Sequence, residues 1–162
     1  MSAVTITYLG RRLMLAGLLA AAMGANAAPA PRNAPRIAVI AGWTRPVAGG
    51  MNDAGYLTIV NHDSFGDRLI GASSPDAAKV SIHVSRNERG VMTMRPVPAL
   101  TIPGRGKVIL APDGYHLMLE GIRHPLKVGD RVPVSLTFDG GATVSASLRV
   151  VGGVWGMPGE RM

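Results

Sequence analysis

Between Ile37 and Val151 the chain is a series of short apolar segments separated by turn-forming residues, a pattern that favours strands over helices. Gly, Pro, Asn and Asp between the segments supply the backbone angles that turns require. Asp139-Gly140-Gly141 joins two such segments and predicts a β-hairpin. The sequence therefore predicts an all-β sandwich or barrel, without an amphipathic helix of useful length and with strands at 37–43, 54–61, 67–73, 79–84, 91–96, 107–110, 116–121, 131–138 and 143–151.

The first 27 residues have the features of a secretory signal peptide. A basic start at Arg11 and Arg12 precedes an apolar stretch at 13–23 that is short for a membrane span. Ala25-Asn26-Ala27 then supplies the small residues of a cleavage site. We expect cleavage near Ala27, with an uncleaved anchor as the alternative and Sec or twin-arginine export both open. The expected organisation is signal peptide 1–27, linker 28–36, one domain 37–151 and flexible tail 152–162.

The chain contains no cysteine, which suits an exported protein. In an oxidising compartment paired thiols become disulfides, so a fold without them rests on its hydrophobic core. A mature chain of about 135 residues is long enough for one such core. We therefore expect a single domain outside the cytoplasm, in the periplasm, with no membrane span in the mature chain.

The net charge of +7 does not by itself indicate nucleic-acid binding. Arg11 and Arg12 account for two of these charges and residues 1–27 hold no acidic side chain, so the chain without that segment carries +5. The remaining arginines and lysines are scattered through turns, and the few aromatic residues do not alternate with them. The charge favours solubility or an acidic protein partner over nucleic acid.

Two histidines and two methionines recur at a suggestive spacing. His83 is followed after ten residues by Met94, and after twenty-one more by His116 and then Met118. Thioether sulfur is a soft neutral donor and imidazole a borderline one, a combination that suits Cu(I) better than zinc, calcium or magnesium. His116 and Met118 share one face of a strand by alternation. The four side chains form a candidate Cu(I) site if their strands are neighbours.

On these residues the chain resembles the PCuAC family of periplasmic copper chaperones. Its His-x10-Met-x21-His-x-Met motif is matched at all four positions, and the phrases around Tyr56, Met94 and His116 are also similar. The resemblance implies a cupredoxin-like Greek-key β-sandwich that binds one Cu(I) per chain. It also implies copper donor and acceptor partners, including the Cu(A) centre of cytochrome c oxidase subunit II or its assembly factors.

The chain departs from many relatives at two places. Ser85 stands where they carry a second Met two residues after the first His, and the tail holds Met157 and Met162 but few histidines. A second copper site in the tail is therefore not expected. Met92 shares a face with Met94 and is either a substitute ligand or hydrophobic cover.

Other candidates have weaker support. His62 and His124 lie in predicted turns and are more typical of solvated side chains than of a second metal site. Trp43 and Trp155 are expected to pack, with shielding of the metal from water as an alternative.

An enzyme is not expected. The chain lacks a cysteine nucleophile and a nucleophile-elbow serine, and all acidic residues except Glu120 lie in predicted turns, at strand edges or in the tail. A blue-copper electron carrier would need a cysteine ligand. The alternatives to a chaperone are a copper-sequestering resistance protein and a metal-free β-sandwich assembly module.

Overall fold

The computed structural model describes residues 36–152, which form ten β-strands and no helix. The predicted signal peptide, the predicted linker up to residue 35 and the predicted tail from residue 153 lie outside the described residues. Within residues 36–152 no helix is long and apolar enough to cross a membrane. The strands are β1 (Ile37–Thr44), β2 (Asp53–Asn61), β3 (Asp67–Ser73), β4 (Ala77–Glu88), β5 (Val91–Pro96), β6 (Leu100–Ile102), β7 (Lys107–Leu110), β8 (Tyr115–Ile122), β9 (Arg131–Phe138) and β10 (Thr143–Val150).

The all-β prediction is confirmed, and each predicted strand is present with small shifts at its ends. β6 was missed because three residues are too few to show alternation. The strand predicted at 79–84 was too short: β4 runs on to Glu88, and Arg89 and Gly90 alone form the turn, with φ of 55° and 84°. Two consecutive positive φ angles match the twist of a tight hairpin between β4 and β5.

Seven strands form a closed ring in the order β4-β8-β2-β1-β10-β9-β3, and β3 returns to β4 through the pair Ala72 and Val80. Three further strands extend this ring: β5 pairs with β4, β6 with β3 and β7 with β2. β1 and β10 run parallel, with Trp43 opposite Arg149. The result is a barrel-like sandwich in which β5 ends the sheet on one side.

Alternating residues of each strand fill the core. On β9, Val132, Val134, Leu136 and Phe138 are at most 2% exposed, while Arg131, Pro133 and Thr137 face solvent. Burial of each such side chain contributes about 1.5–3 kcal/mol. β4 and β8 follow the same rule, with Ile82 and Leu117 paired in the core. Their other residues face away from the core and are available for binding.

Candidate metal centre

The register of β4 and β8 places two of the predicted donors directly opposite each other. His83 pairs with His116 in the antiparallel ladder, and their ring centroids are 6.0 Å apart with an interplanar angle of 53°. Directly opposed residues project from the same face of a sheet. Both imidazoles therefore lie on the outer face of the sheet, whereas the next pair along the ladder, Ile82 and Leu117, projects into the core.

His116 is held in one tautomer by the backbone. Its side chain is 2% exposed, and its Nδ1 lies 3.1 Å from the carbonyl oxygen of Gly114. A carbonyl oxygen can only accept, so we assign the ring hydrogen to Nδ1. Nε2 then carries a lone pair, and this buried nitrogen has no hydrogen-bond partner among the described residues.

His83 is held by side chains instead. Its Nε2 lies 3.1 Å from Ser81 Oγ, and the Ser81 hydroxyl donates to Glu120 Oε1 at 2.8 Å. Lys79 Nζ lies 3.3 Å from the same carboxylate oxygen. The hydrogen bond from Ser81, followed by that from Lys79, lowers the pKa of Glu120, so its carboxylate is charged and only accepts.

This chain of hydrogen bonds fixes where the lone pair of His83 lies. The hydroxyl hydrogen of Ser81 goes to Glu120, so Oγ accepts from His83 Nε2, which carries the ring hydrogen. Nδ1 of His83 is therefore a lone-pair nitrogen, and it too is buried without a partner in residues 36–152. Burial, and next the nearby His116, lowers the pKa of His83 and keeps its imidazole neutral, which is the form that binds metal.

Two unpartnered lone pairs on facing rings are unusual in a folded protein. Leaving a buried polar atom unpaired costs roughly 1–3 kcal/mol, and most such atoms find a partner. Here both unpaired atoms are acceptors, because the protonated nitrogen of each imidazole already donates a hydrogen bond to Ser81 Oγ or to the Gly114 carbonyl oxygen. This arrangement is the one that a metal-ligating histidine adopts, with its second nitrogen bound to a carbonyl or carboxylate-linked group.

The two methionines flank this histidine pair on the same face. Met118 is half-buried and lies opposite Ser81, two residue pairs along the ladder from the histidines. Met94 on β5 lies opposite Ser85, two residues from His83 in the other direction, and is 49% exposed. The strands of all four predicted donors are thus consecutive in the sheet, in the order β5-β4-β8. Met92 lies two residue pairs further toward the hairpin turn, opposite Asn87, and is 51% exposed.

An aromatic pair supports His116 from the other side. Tyr56 of β2 is buried, and its ring centroid lies 6.4 Å from that of His116. Trp43 of β1 is paired with Tyr56 and stacks on it at 4.4 Å. Trp43 therefore packs, as expected, and is linked to His116 through the ring of Tyr56. Trp155 lies outside the described residues.

Sequence reasoning missed Tyr56, Ser81 and Glu120 as residues around the site. Ser81 lies two residues before His83 and Glu120 two residues after Met118, so strand alternation could have placed both on the donor face. Their contact with each other depends on the register between β4 and β8, which the sequence did not reveal.

The other two described histidines lie elsewhere. His124 Nε2 is 3.1 Å from Asp76 Oδ1, and this hydrogen bond raises the pKa of His124. His62 is exposed in the turn after β2. Among residues 36–152 no group of three or more His, Asp or Glu side chains is arranged to hold a metal ion. The histidine pair with its flanking methionines is therefore the site to which the comparisons below apply.

A closed β-sandwich that presents paired imidazole lone pairs and thioethers on one outer face belongs to the class of small cupredoxin-like domains. The LpqE-like lipoprotein family profile matches residues 37–150, nearly the whole described domain. The chain belongs to this family, which is of the PCuAC type, and the cupredoxin-like fold predicted from the sequence is confirmed.

Several relatives are similar over most of the chain. "Putative lipoprotein Lxx21020" of Leifsonia xyli subsp. xyli is 29% identical over 127 residues, which are 78% of this chain and 76% of the relative. The copper-bound PCuAC domain from PmoF2 superposes with a TM-score of 0.60 and 27% identity, covering 72% of this chain and 93% of that domain. CuI-DR1885 from Deinococcus radiodurans gives a TM-score of 0.57 and 31% identity, covering 75% of this chain and 80% of that one.

Proposed function

We propose that this chain is an exported metallochaperone that carries one Cu(I), held by His83, Met94, His116 and Met118, to an acceptor protein. The acceptor we favour is the Cu(A) centre of cytochrome c oxidase, reached through subunit II or its assembly factors. The protein binds and transfers copper as cargo and catalyses no reaction of its own.

The observation that carries this proposal is the pair of buried lone-pair nitrogens, His83 Nδ1 and His116 Nε2. They belong to residues that are directly opposite each other on β4 and β8, and two thioethers lie on the same side of the sheet. All four donors are neutral, so bound Cu(I) keeps one positive charge, and the soft sulfur atoms favour Cu(I) over Cu(II). Relatives described as copper-bound and CuI-loaded support the same metal.

Delivery rather than storage is supported by the exposure of one donor. Met94 is 49% exposed and lies on the last strand of the sheet, whereas His116 is 2% exposed. A thioether is a weak ligand that an acceptor's thiolate or imidazole can replace while the histidines still hold the metal. Transfer would then proceed by exchange of one ligand at a time, with Met94 leaving first.

Export to the periplasm is supported by the basic and apolar start of the chain and by its cleavage motif near Ala27. The lipoprotein descriptions of the family and of the Leifsonia relative also indicate an exported protein. Met and His ligands suit that compartment, because they stay available where thiols are oxidised.

The test is an anaerobic Cu(I) titration of the protein against a chromophoric chelator. The parent should bind one Cu(I) tightly. Met94→Leu keeps the side-chain volume and removes the sulfur, so affinity should fall by roughly tenfold or more with little change in stability.

Met92→Leu is the matched control, because Met92 is equally exposed and lies on the same strand face. It should bind Cu(I) as the parent does. If Met92→Leu loses affinity and Met94→Leu does not, Met92 is the ligand. If the parent does not compete with the chelator at all, the chaperone proposal fails in favour of a metal-free assembly module.

The acceptor is tested by mixing the copper-loaded protein with the metal-free soluble domain of an oxidase subunit II. Copper recovered with the subunit II domain after the two proteins are separated, with a matching loss of copper from the chaperone, would support delivery. Copper that stays with the protein in the presence of a tighter acceptor would instead indicate sequestration.

A further inference from the structure

Strand β5 leaves one edge of the sheet open. β5 ends the strand order and pairs with β4 alone, so no described residue covers its other side. It is six residues long, whereas the other added strands, β6 and β7, have three and four. Open edges present unpaired backbone groups that another extended chain can bind. β5 is thus the longest of these added edges in the described domain.

The ladder shows which backbone groups of β5 point outward. Val97 N–H donates to the Ile82 carbonyl at 2.8 Å, so the odd-numbered residues of β5 are the ones whose backbone groups bond to β4. In an antiparallel pair the bonded and non-bonded positions alternate. The N–H and C=O groups of Met92 and Met94 therefore point away from β4. Pro96 occupies the next such position and has no N–H, which ends the usable edge.

The side chains of this edge are unusually apolar for an exposed strand. Val91, Met92 and Met94 are 63%, 51% and 49% exposed, while no other strand carries more than one large exposed hydrophobic residue. Isolated exposed apolar residues are normal, but a group of this kind indicates an interaction surface. The group includes Met94, which under the proposed function is the first ligand to leave the copper ion.

The charge around this edge has one sign. The β4–β5 hairpin carries Arg86, Arg89 and Arg95 against Glu88 alone. Arg95 is 3.0 Å from Glu88, and neither Arg86 nor Arg89 forms an ion pair with any residue of the described domain. Two unmatched positive charges beside an open edge favour a segment that carries carboxylates. They also disfavour pairing with a second copy of the same hairpin.

We propose that an extended, acidic segment of the copper acceptor adds to the outer edge of β5 as a further strand. Its backbone bonds to Met92 and Met94, and its carboxylates lie near Arg86 and Arg89. This mode of recognition takes affinity from main-chain hydrogen bonds and specificity from alternate side chains. Strand addition at β5 also brings the acceptor's chain beside Met94. The choice of the copper acceptor as partner rests on the proposed function.

The test titrates the copper-free, nitrogen-15-labelled protein with an eight-residue peptide that alternates valine with aspartate and threonine. A matched peptide has lysine in place of aspartate. The backbone amides of Met92 and Met94 should shift in the nuclear magnetic resonance spectrum, and that of Thr93, already bonded to β4, should shift little. The acidic peptide should bind about tenfold more tightly than the lysine peptide, since like charges oppose docking.

Met92→Pro removes one outward N–H without breaking a bond to β4, so it should abolish the shift at Met94. Met92→Leu keeps the N–H and should bind as the parent does. Persistent exchange protection of the Thr93 amide verifies that the proline variant keeps its hairpin. Reversing the charges with Arg86→Glu and Arg89→Glu should transfer the preference to the lysine peptide.

The proposal is overturned if the acidic peptide at millimolar concentration leaves these two amides unmoved, or if Met92→Pro binds it as well as Met92→Leu. Concentration-dependent dimerisation through β5 would replace the acceptor by a second copy. Because the titration uses copper-free protein, its result is independent of the Cu(I) titration, and the two proposals can fail separately.

Discussion

The histidines on β4 and β8 differ from His124 in what their second nitrogen does. His83 and His116 each use one nitrogen for a fixed hydrogen bond and leave the other buried and unpaired. His124 lies in the connection after β8 and uses its Nε2 to bind the carboxylate of Asp76, with its side chain 54% exposed. His83 and His116 thus offer lone pairs that suit a metal ion, whereas the environment of His124 favours its protonated form.

This contrast shows that residue type alone does not identify a metal ligand. Both regions contain a histidine linked to a carboxylate, directly at Asp76 and through Ser81 at Glu120. What differs is the result: the link through Ser81 leaves His83 Nδ1 buried without a partner, whereas the direct bond to Asp76 raises the pKa of His124. The following substitutions test that difference, beginning with the largest expected effect.

Replacing His116 by leucine should nearly abolish Cu(I) binding. The change removes a buried lone pair and fills most of its volume, so affinity should fall more than about a hundredfold, or roughly 2.7 kcal/mol. His124→Leu should leave the affinity within about twofold. Chelator competition measures both, with circular dichroism to verify that each variant is folded. Equal losses in the two variants would erase the distinction between the regions.

Removing the hydroxyl of Ser81 should weaken copper binding without removing a ligand. In Ser81→Ala the ring of His83 loses the partner of its Nε2 hydrogen, and the other tautomer gains population. Loss of such a supporting group costs about tenfold to a hundredfold in metal affinity.

Ser85→Ala is the matched control. Ser85 also lies two residues from His83, but within residues 36–152 its side chain forms no hydrogen bond with His83. Nitrogen-15 shifts of the ring should show Nε2 protonated in the parent and in Ser85→Ala, and a mixture in Ser81→Ala. An unchanged ring in Ser81→Ala would mean that the hydroxyl does not set the tautomer.

The smallest expected effect concerns pH and folding stability at His124. The hydrogen bond to Asp76 raises the pKa of His124, so the folded state binds its proton more tightly than the unfolded state does. Its contribution is complete below about pH 6.5 and is lost as the pH rises through the raised pKa.

Urea unfolding from pH 5.5 to 8 should therefore show a small loss of stability in the parent that Asp76→Asn lacks. The lowered pKa of His83 has the opposite sign: its contribution is present above about pH 6.5 and is lost on acidification. A loss of stability at rising pH that persists in Asp76→Asn would show that another group is responsible.

The strands could be predicted from the sequence, and the four donors proposed from it, for a common reason. Alternation, turn residues and donor chemistry are local properties, so segments such as 67–73 and 131–138 were located to the residue. The pairing of His83 with His116 depends on the register between two strands that are far apart in the sequence, and no local pattern encodes it. The same holds for the link between Ser81 and Glu120, and for β5 being the end of the sheet.

The ring of strands is closed at β3 and β4 by the single pair Ala72 and Val80, whereas β4 and β8 share a ladder from Ala77 to Val84. Such a short junction is the part of the barrel that opens at least cost in free energy. Amides along this junction should exchange with deuterated solvent sooner than those between β4 and β8. The histidine pair lies in the longer ladder between β4 and β8. The barrel can therefore open locally between β3 and β4 while the two imidazoles stay in register.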